Sequence, residues 1–359
     1  MPYRVLVVDD SAFMRKIISD LIEQDPAYRV EATAKNGREA VEQVAAIQPD
    51  LVTMDVEMPE LNGLDALKVI MKEHPLPVIM LSGINEQGMR ETIMALELGA
   101  FDFIRKPSAT TSSHDIEEVG RELREQMRVA MAAKERRAAR APVDPVAPKG
   151  RATTGAAGLA QGAGPRTSFT DLVAIGTSTG GPKALKAVLE KIPGDFPAPI
   201  VIVQHMPPNF TKSLAQRLNS LSELTVVEAE QGERLHSGTA YIAPGGFHLN
   251  VIPSPGGGYR IHLTEQEPRN GHRPSVDVLY ESLLPLEALK RHAVLLTGMG
   301  SDGAKVMKQL YDAGVTSTLA ESEETCVVFG MPRSAIELNC VSHVLPLHDI
   351  GPKLVQVVK

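Results

Sequence analysis

From Arg4 to Pro107, short aliphatic and β-branched runs alternate with stretches whose apolar residues recur at helical spacing. The runs at Arg4–Val8, Val30–Ala34, Leu51–Met54, Val78–Leu81 and Phe101–Ile104 predict strands. Between them, patterns such as Met14-Ile17-Ile18-Leu21-Ile22 place one apolar stripe on a helix, as packing against a sheet requires. Strands feeding helices in this order predict a five-stranded parallel α/β unit.

From Asp115 to about Arg140 the pattern stays helical but becomes charged, ending in Lys134-Glu135-Arg136-Arg137. Ala/Pro/Gly-rich sequence follows through Pro165 and cannot bury a core, so a flexible linker is expected. The basic run reads as a solvated helix face, with a docking role as the alternative. A second α/β pattern opens at Leu172–Ile175 and continues through Ile200–Val203, Thr225–Val227, Tyr241–Ala243 and Val294–Thr297. Ala313–Val315 and Val344–Pro346 are two further expected strand regions, and Pro182–Lys191 and Asp302–Asp312 are expected helices. Ile252–Arg269, with alternating Tyr259, Ile261 and Leu263, predicts an antiparallel hairpin at an edge of an otherwise mostly parallel, doubly wound sheet. The expected division is 1–125, a linker over 126–168, and 169–359.

A length of 359 residues suits two domains of ordinary size. The net charge of -7 removes whole-chain attraction to nucleic acid or anionic lipid, and no compact basic recognition pattern follows the linker. No apolar stretch reaches the ~18 residues that span a bilayer, and the opening Met1-Pro2-Tyr3-Arg4 lacks a signal-peptide pattern. Cys326 and Cys340 fit neither a disulfide framework nor a zinc site and read as packing residues in a reducing compartment. A cytoplasmic protein without nucleic acid or membrane insertion is expected.

In open parallel sheets, ligands collect beyond the carboxyl ends of the strands. In the first unit Asp9 and Asp10 follow the first strand, Asp55 the third, Ser82 the fourth and Lys106-Pro107 the fifth. Three carboxylates at one edge call for a hard cation such as Mg²⁺, and with a lysine they suit phosphoryl transfer to a carboxylate. Asp9 or Asp10 alone reads equally as a helix cap; the five positions together do not. Val7-Val8-Asp9-Asp10-Ser11, Met54-Asp55-Val56-Glu57-Met58-Pro59 and Lys106-Pro107 resemble the signature of a two-component receiver domain, which is flavodoxin-like. The resemblance implies that Asp55 accepts the phosphoryl group and that Asp10, Asp55 and the carbonyl of Glu57 bind Mg²⁺, with Asp9 assisting through water. It implies further that Ser82 and Lys106 contact the phosphoryl group. Phe103 stands where receivers carry a switch aromatic, and reads equally as a core residue.

In the second unit Gly176-Thr177-Ser178-Thr179-Gly180 lies between a strand and a helix and fits G-x-S-x-G. Such a turn exposes the serine and leaves free amides at the helix start, though a glycine-rich turn can equally be a phosphate loop. His205 ends the next strand and is the candidate base, and Asp302, in Gly298-Met299-Gly300-Ser301-Asp302-Gly303, is the candidate orienting acid. Asp302 reads equally as a cap of the helix that follows, and Asp277 is the competing acid. His74, His114, His292, His343 and His348 read as surface or core filler; His248, His262 and His272 stay open.

The order Ser, His, Asp differs from the Ser, Asp, His of the α/β-hydrolases. Gly176–Gly181, Gln204–Pro208, Tyr241–Gly245, Arg273–Asp277, Leu296–Gly300 and Val327–Pro332 instead resemble the chemotaxis response-regulator protein-glutamate methylesterases and glutamine deamidases, the CheB family. Thr177 departs from the smaller residue expected there. The resemblance implies a nucleophilic Ser178, an oxyanion site at Thr179 and the amide of Met299, and no metal in the hydrolase half. It implies methyl-accepting chemoreceptors as substrate and a chemotaxis histidine kinase as phosphodonor. The reading from another class is a response regulator with a non-catalytic nucleotide- or protein-binding output domain.

Overall fold

The structure, a computed structural model, describes residues 1–83, 85–107, 113–139 and 167–358. In the first unit β1 (Tyr3–Val8), β2 (Tyr28–Ala34), β3 (Leu51–Asp55), β4 (Val78–Ser82) and β5 (Asp102–Arg105) pair in parallel in the order β2-β1-β3-β4-β5. Its helices are α1 (Ala12–Glu23), α2 (Gly37–Ile47), α3 (Gly63–Glu73), α4 (Glu86–Leu98) and α5 (Ser113–Ala139). Ser11, Asn36, Asn62 and Asn85 each accept a backbone N–H in the first turn of α1 to α4, so these four helices open on their own side-chain caps.

The fifth helix differs from expectation. Residues 126–139, placed in the linker by their charge, are the second half of α5. Met127, Ala130 and Met131 form a buried stripe against Val5, Ile18 and Leu21, while Lys134 reaches the Asp50 carboxylate at 2.9 Å. A stripe this narrow is easily masked by the charges around it. The remainder of the expected linker, 140–166, lies outside the described residues.

In the second unit the strands are β6 (Asp171–Thr177), β7 (Ile200–Gln204), β8 (Thr225–Glu228), β9 (Thr239–Ile242), β10 (His248–Pro253), β11 (Tyr259–Thr264), β12 (Lys290–Leu295), β13 (Ser317–Glu321) and β14 (His343–Leu345). Seven of them form a parallel sheet in the order β14-β13-β12-β6-β7-β9-β8. The hairpin β10-β11 is antiparallel and stands as a two-stranded sheet of its own, beginning before the Pro/Gly-rich stretch that signalled it. The helices are α6 (Gly181–Leu189), α7 (Phe210–Asn219), α8 (Val276–Leu283), α9 (Ala304–Asp312), α10 (Met331–Glu337) and α11 (Leu347–Val357). Ala313–Val315 is a turn rather than a strand, because Gly314 takes a φ of 75° to end α9 and the strand starts only at Ser317.

The two units pack through the α4–β5 side of the first, with α4 lying against α6 and α7. Phe103 meets Phe210 of α7 with ring centroids 4.5 Å apart. Glu97 of α4 accepts two hydrogen bonds from the Arg217 guanidinium, each 2.9 Å. Apolar residues of both units, among them Ile104 and Val328, belong to one cluster.

Candidate active site

In the larger sheet the chain leaves β6 for β7 on one side and later returns to β12 on the other, which opens a crevice at the carboxyl ends of these three strands. Ser178 follows β6, His205 follows β7 and Asp302 lies beyond β12. The pairing of Thr177 with Gln204 sets Ser178 and His205 on neighbouring strand ends, and the His205 amide donates to the Thr177 carbonyl at 3.1 Å.

The serine turn is held by four hydrogen bonds. The Ser178 amide and the Thr177 hydroxyl both donate to the Thr297 carbonyl, at 3.0 and 2.9 Å. Thr177, larger than expected at this place, thus ties the turn to the neighbouring strand end. The Ser178 carbonyl accepts from the Gly181 amide and from Gln204 Nε2, which also donates to the His205 carbonyl. Gln204 therefore clamps the serine and the histidine together. A Cβ on Gly181 would lie 1.8 Å from Gln204 Oε1, and one on Gly298 would lie 2.8 Å from the Ser178 Cβ, so glycine is needed at both close approaches. Helix α6 opens at Gly180 with no side-chain cap; its Gly181 amide is taken by the Ser178 carbonyl and Pro182 carries no N–H.

His205 Nε2 lies 2.8 Å from Asp302 Oδ2, with both side chains almost fully buried. The other ring nitrogen, Nδ1, is buried and has no partner. Asp302 also accepts from the Val276 amide at 2.7 Å, the Ser275 hydroxyl at 2.8 Å, the Asp277 amide at 3.2 Å and Asn270 at 3.3 Å. Burial would raise its pKa, but the His205 contact and these donors outweigh burial and hold the carboxyl well below its ordinary range. Asp302 does not cap α9, whose N-cap is Gly303; it caps the start of α8 from a distance. Asp277 does the reverse, accepting from the Gly303 amide and from Asn270, both at 2.9 Å, and it makes no contact with His205. Burial and then the charge of Asp302 push its pKa up.

His272 stacks on His205 with centroids 3.8 Å apart and planes within 10° of parallel. Gln204, Asn270, His272 and Ser275 have no role assigned from sequence; the Asn270-Gly271 pair, a hairpin-turn signal, is the feature that could have pointed to two of them. Thr179 Oγ1 donates across the unit boundary to Asp102 Oδ2 at 2.6 Å. Burial drives the Asp102 carboxyl up to about 6, with the Thr179 and Phe103 donors opposing. Met299 packs on the apolar cluster shared by the two units, beside Val327 and Val328.

At the carboxyl edge of the smaller sheet, Asp9, Asp10 and Asp55 offer oxygens within 4.8 Å of one another. An all-oxygen set with one exposed member, Asp10, fits a hard divalent ion such as Mg²⁺. Lys106 Nζ lies 2.5 Å from Asp55 and 2.8 Å from Asp9. Burial lifts the Asp55 carboxyl to about 6 against the pull of Lys106. For Lys106 the balance is reversed: burial would lower its pKa, but Asp55 and Asp9 raise it. The Ser82 hydroxyl is buried, donating to the Gly83 carbonyl and accepting from Thr92 at 2.6 Å. Glu57 accepts from Asn85 at 2.7 Å. Phe103, the switch-aromatic candidate, is buried against Phe210 at the boundary rather than within its own unit alone. Among the described residues no helix is long and apolar enough to cross a membrane.

Residues 173–354 match the family described as CheB methylesterase, and residues 5–116 match the response regulator receiver domain family. A protein-glutamate methylesterase/protein-glutamine glutaminase of Geobacillus kaustophilus is 48% identical over 356 residues, covering 99% of this chain and 98% of the relative. The Bacillus subtilis protein of the same name is 42% identical over 367 residues, with 99% and 98% covered. The crystal structure of the Thermotoga maritima CheB methylesterase catalytic domain matches with a TM-score of 0.51 and 47% identity, covering 53% of this chain and all of that one.

Proposed function

Because the chain belongs to the CheB family of chemotaxis protein-glutamate methylesterases/protein-glutamine glutaminases under receiver control, we propose that Ser178 is its nucleophile, His205 the base and Asp302 the orienting acid. The observation that carries this is the 2.8 Å contact of His205 with a fully ligated Asp302, which leaves the second ring nitrogen uncommitted next to the serine turn. Ser178 Oγ adds to the carbonyl carbon of a glutamyl methyl ester while His205 Nδ1 takes the hydroxyl proton. Methanol leaves with that proton, or ammonia in the case of glutamine, and an acyl-enzyme forms. Water then adds to the acyl carbon, giving a proton to His205, and the glutamate carboxylate is released with Ser178 restored. The Met299 amide and Thr179 stabilise the oxyanion in this reading. The hydrolase half uses no metal.

Asp55 accepts the phosphoryl group, and Ser82 and Lys106 bind its oxygens. Mg²⁺, held by Asp10, Asp55 and the Glu57 carbonyl with Asp9 assisting, would neutralise phosphoryl charge when bound. The substrates are cytoplasmic helices of methyl-accepting chemoreceptors, the phosphodonor is a chemotaxis histidine kinase, and the protein works in the cytoplasm. The functional division is a receiver, 1–125, with α5 extending it, a linker, and a catalytic domain, 169–359. With Asp102 on Thr179, the unphosphorylated receiver covers the site, and phosphorylation at Asp55 weakens that packing through Phe103. The test is methanol release from methylated receptor membranes. Ser178→Ala should abolish it, Asp55→Asn should leave only the unstimulated rate, and full release by Ser178→Ala would overturn the assignment.

A further inference from the structure

Beyond Ser178, His205 and Asp302, one four-residue turn touches both members of the histidine–aspartate pair. Arg269 and His272 exchange two backbone hydrogen bonds of 3.0 Å, with Asn270 at φ 54° and Gly271 at φ 81° between them, the geometry that an Asn-Gly hairpin turn favours. The turn is fixed on both sides. Arg269 pairs with Glu281 of α8 at 2.6 Å, and Arg273 donates to the carbonyls of Glu265 and Gln266 at 3.0 Å. From its tip Asn270 reaches Asp277 and Asp302, and from its return arm the His272 ring lies flat on His205.

This second contact meets a mechanical need. His205 is anchored at Nε2 alone, since Nδ1 has no partner, and a ring held at one edge can still swing about that edge. Swinging would redirect Nδ1 while leaving the Asp302 bond intact. A flat surface against the ring face blocks that rotation. We propose that His272 is a positioning residue for acyl transfer, its ring stacked on His205 so that the imidazole keeps Nε2 on Asp302 and Nδ1 directed to Ser178. The inference rests on the assignment of His205 as the base.

The electrostatics are compatible with that role. Burial, then the neighbouring His205, pushes His272 down to about 4, against a smaller opposing effect of Asp302. Its ring is therefore neutral near pH 7 and does not repel the imidazolium that forms on His205 during each step. The stack also shields one face of His205 from water.

The experiment uses the full-length chain, phosphorylated by a small phosphodonor with Mg²⁺, and follows methanol release from methylated receptor membranes across pH. His272→Ala should lower kcat by roughly 10- to 100-fold, the scale of a misplaced catalytic group, with KM within about twofold. Its acid limb should move to higher pH, because water reaching the His205 imidazolium favours the charged form. His272→Phe, which keeps a flat face, should recover kcat to within about threefold with the original acid limb, and His272→Leu, which fills space without a plane, should not. If the alanine variant does not fold, the Phe and Leu variants decide. A His272→Ala protein with kcat unchanged, or Phe and Leu variants of equal activity, would overturn the proposal. Loss of activity in His205→Ala beside an unaffected His272→Ala sinks this inference alone, whereas full activity in His205→Ala removes the base assignment on which it rests.

Discussion

The larger sheet carries two constellations of serine, histidine and aspartate, one at each end of its central strands. At the carboxyl ends are Ser178, His205 and Asp302; at the amino ends, His292 of β12 lies 3.0 Å from Asp171 of β6 and 2.8 Å from the hydroxyl of Ser317 of β13. The residue types are identical and the His–Asp distances nearly so. The difference lies in what is left over. His292 is fully buried and both its nitrogens are occupied, so no proton acceptor remains and nothing can approach. His205 keeps one nitrogen uncommitted, and its backbone amide is hydrogen-bonded to Thr177 of the serine turn. Burial also lowers the pKa of His292, against the opposing pull of Asp171, so it persists as a neutral cross-link between three strands. In the proposed reading, the same residue types make a structural cross-link where the hydrogen bonding is complete and a reaction centre where it is one bond short.

The comparison is broken most directly by removing each serine. Ser178→Ala should lower kcat by ~10³-fold or more while leaving the thermal midpoint within a few degrees. Ser317→Ala should do the opposite, keeping kcat within about twofold and costing ~1–3 kcal/mol in denaturant unfolding, because His292 Nδ1 is left buried without a partner. Equal losses of activity in the two variants would erase the distinction. Next in size, Asp302→Asn should reduce kcat by ~10³- to 10⁴-fold through the wrong tautomer of His205, at a modest cost to stability.

The pH dependence of stability sharpens the same contrast. In the unfolded chain His292 takes a proton near ~6.5, whereas the folded site keeps the ring neutral to lower pH. The unfolded state therefore binds more protons as pH falls below that value, so this group's stabilisation is present above it and is lost on acidification. Thermal midpoints of the wild type should fall between pH 7.5 and 5.5 more steeply than those of His292→Gln; equal slopes would remove His292 as the source. The smallest effect concerns the boundary between the units. Arg217→Ala deletes the pair that a partly exposed guanidinium makes with the nearly buried Glu97 carboxylate, and the unphosphorylated chain should gain roughly two- to fivefold in basal methanol release. An unchanged basal rate would leave this pair without a part in closure.

Much of this was legible because strand ends are readable. Asp9, Asp10, Asp55, Lys106, Ser178 and His205 all follow apolar runs, and parallel pairing brings the ends of such runs together. The contacts that complete the site were not, since they run between segments with no periodic signal. Asp302, the candidate orienting acid, read equally as a cap of its own helix, and only the fold reveals that it caps α8 while Asp277 takes the amide at Gly303. His272 stayed open because a stack has no sequence signature. His292 was read as filler in a helical or terminal setting, yet it lies on β12 inside a polar network. The charged face of α5 concealed Met127 and Met131, and Ala313–Val315 carried strand composition in a place where Gly314 turns the chain.

The hydrogen bond from Thr179 to Asp102 commits, in the covered form, a residue of the proposed oxyanion site to the other unit. If covered and productive states exclude one another at Thr179, a covered molecule contributes no partial activity. The basal rate becomes a direct count of open molecules. A rate near one hundredth of the maximum would correspond to about 2.7 kcal/mol of closure, and bringing such a population to the reverse ratio takes about 5.5 kcal/mol. In the proposed reading the boundary between the units is weak enough for one phosphoryl group to overturn, which would set an upper limit on how well its ion pair and aromatic contact can be optimised.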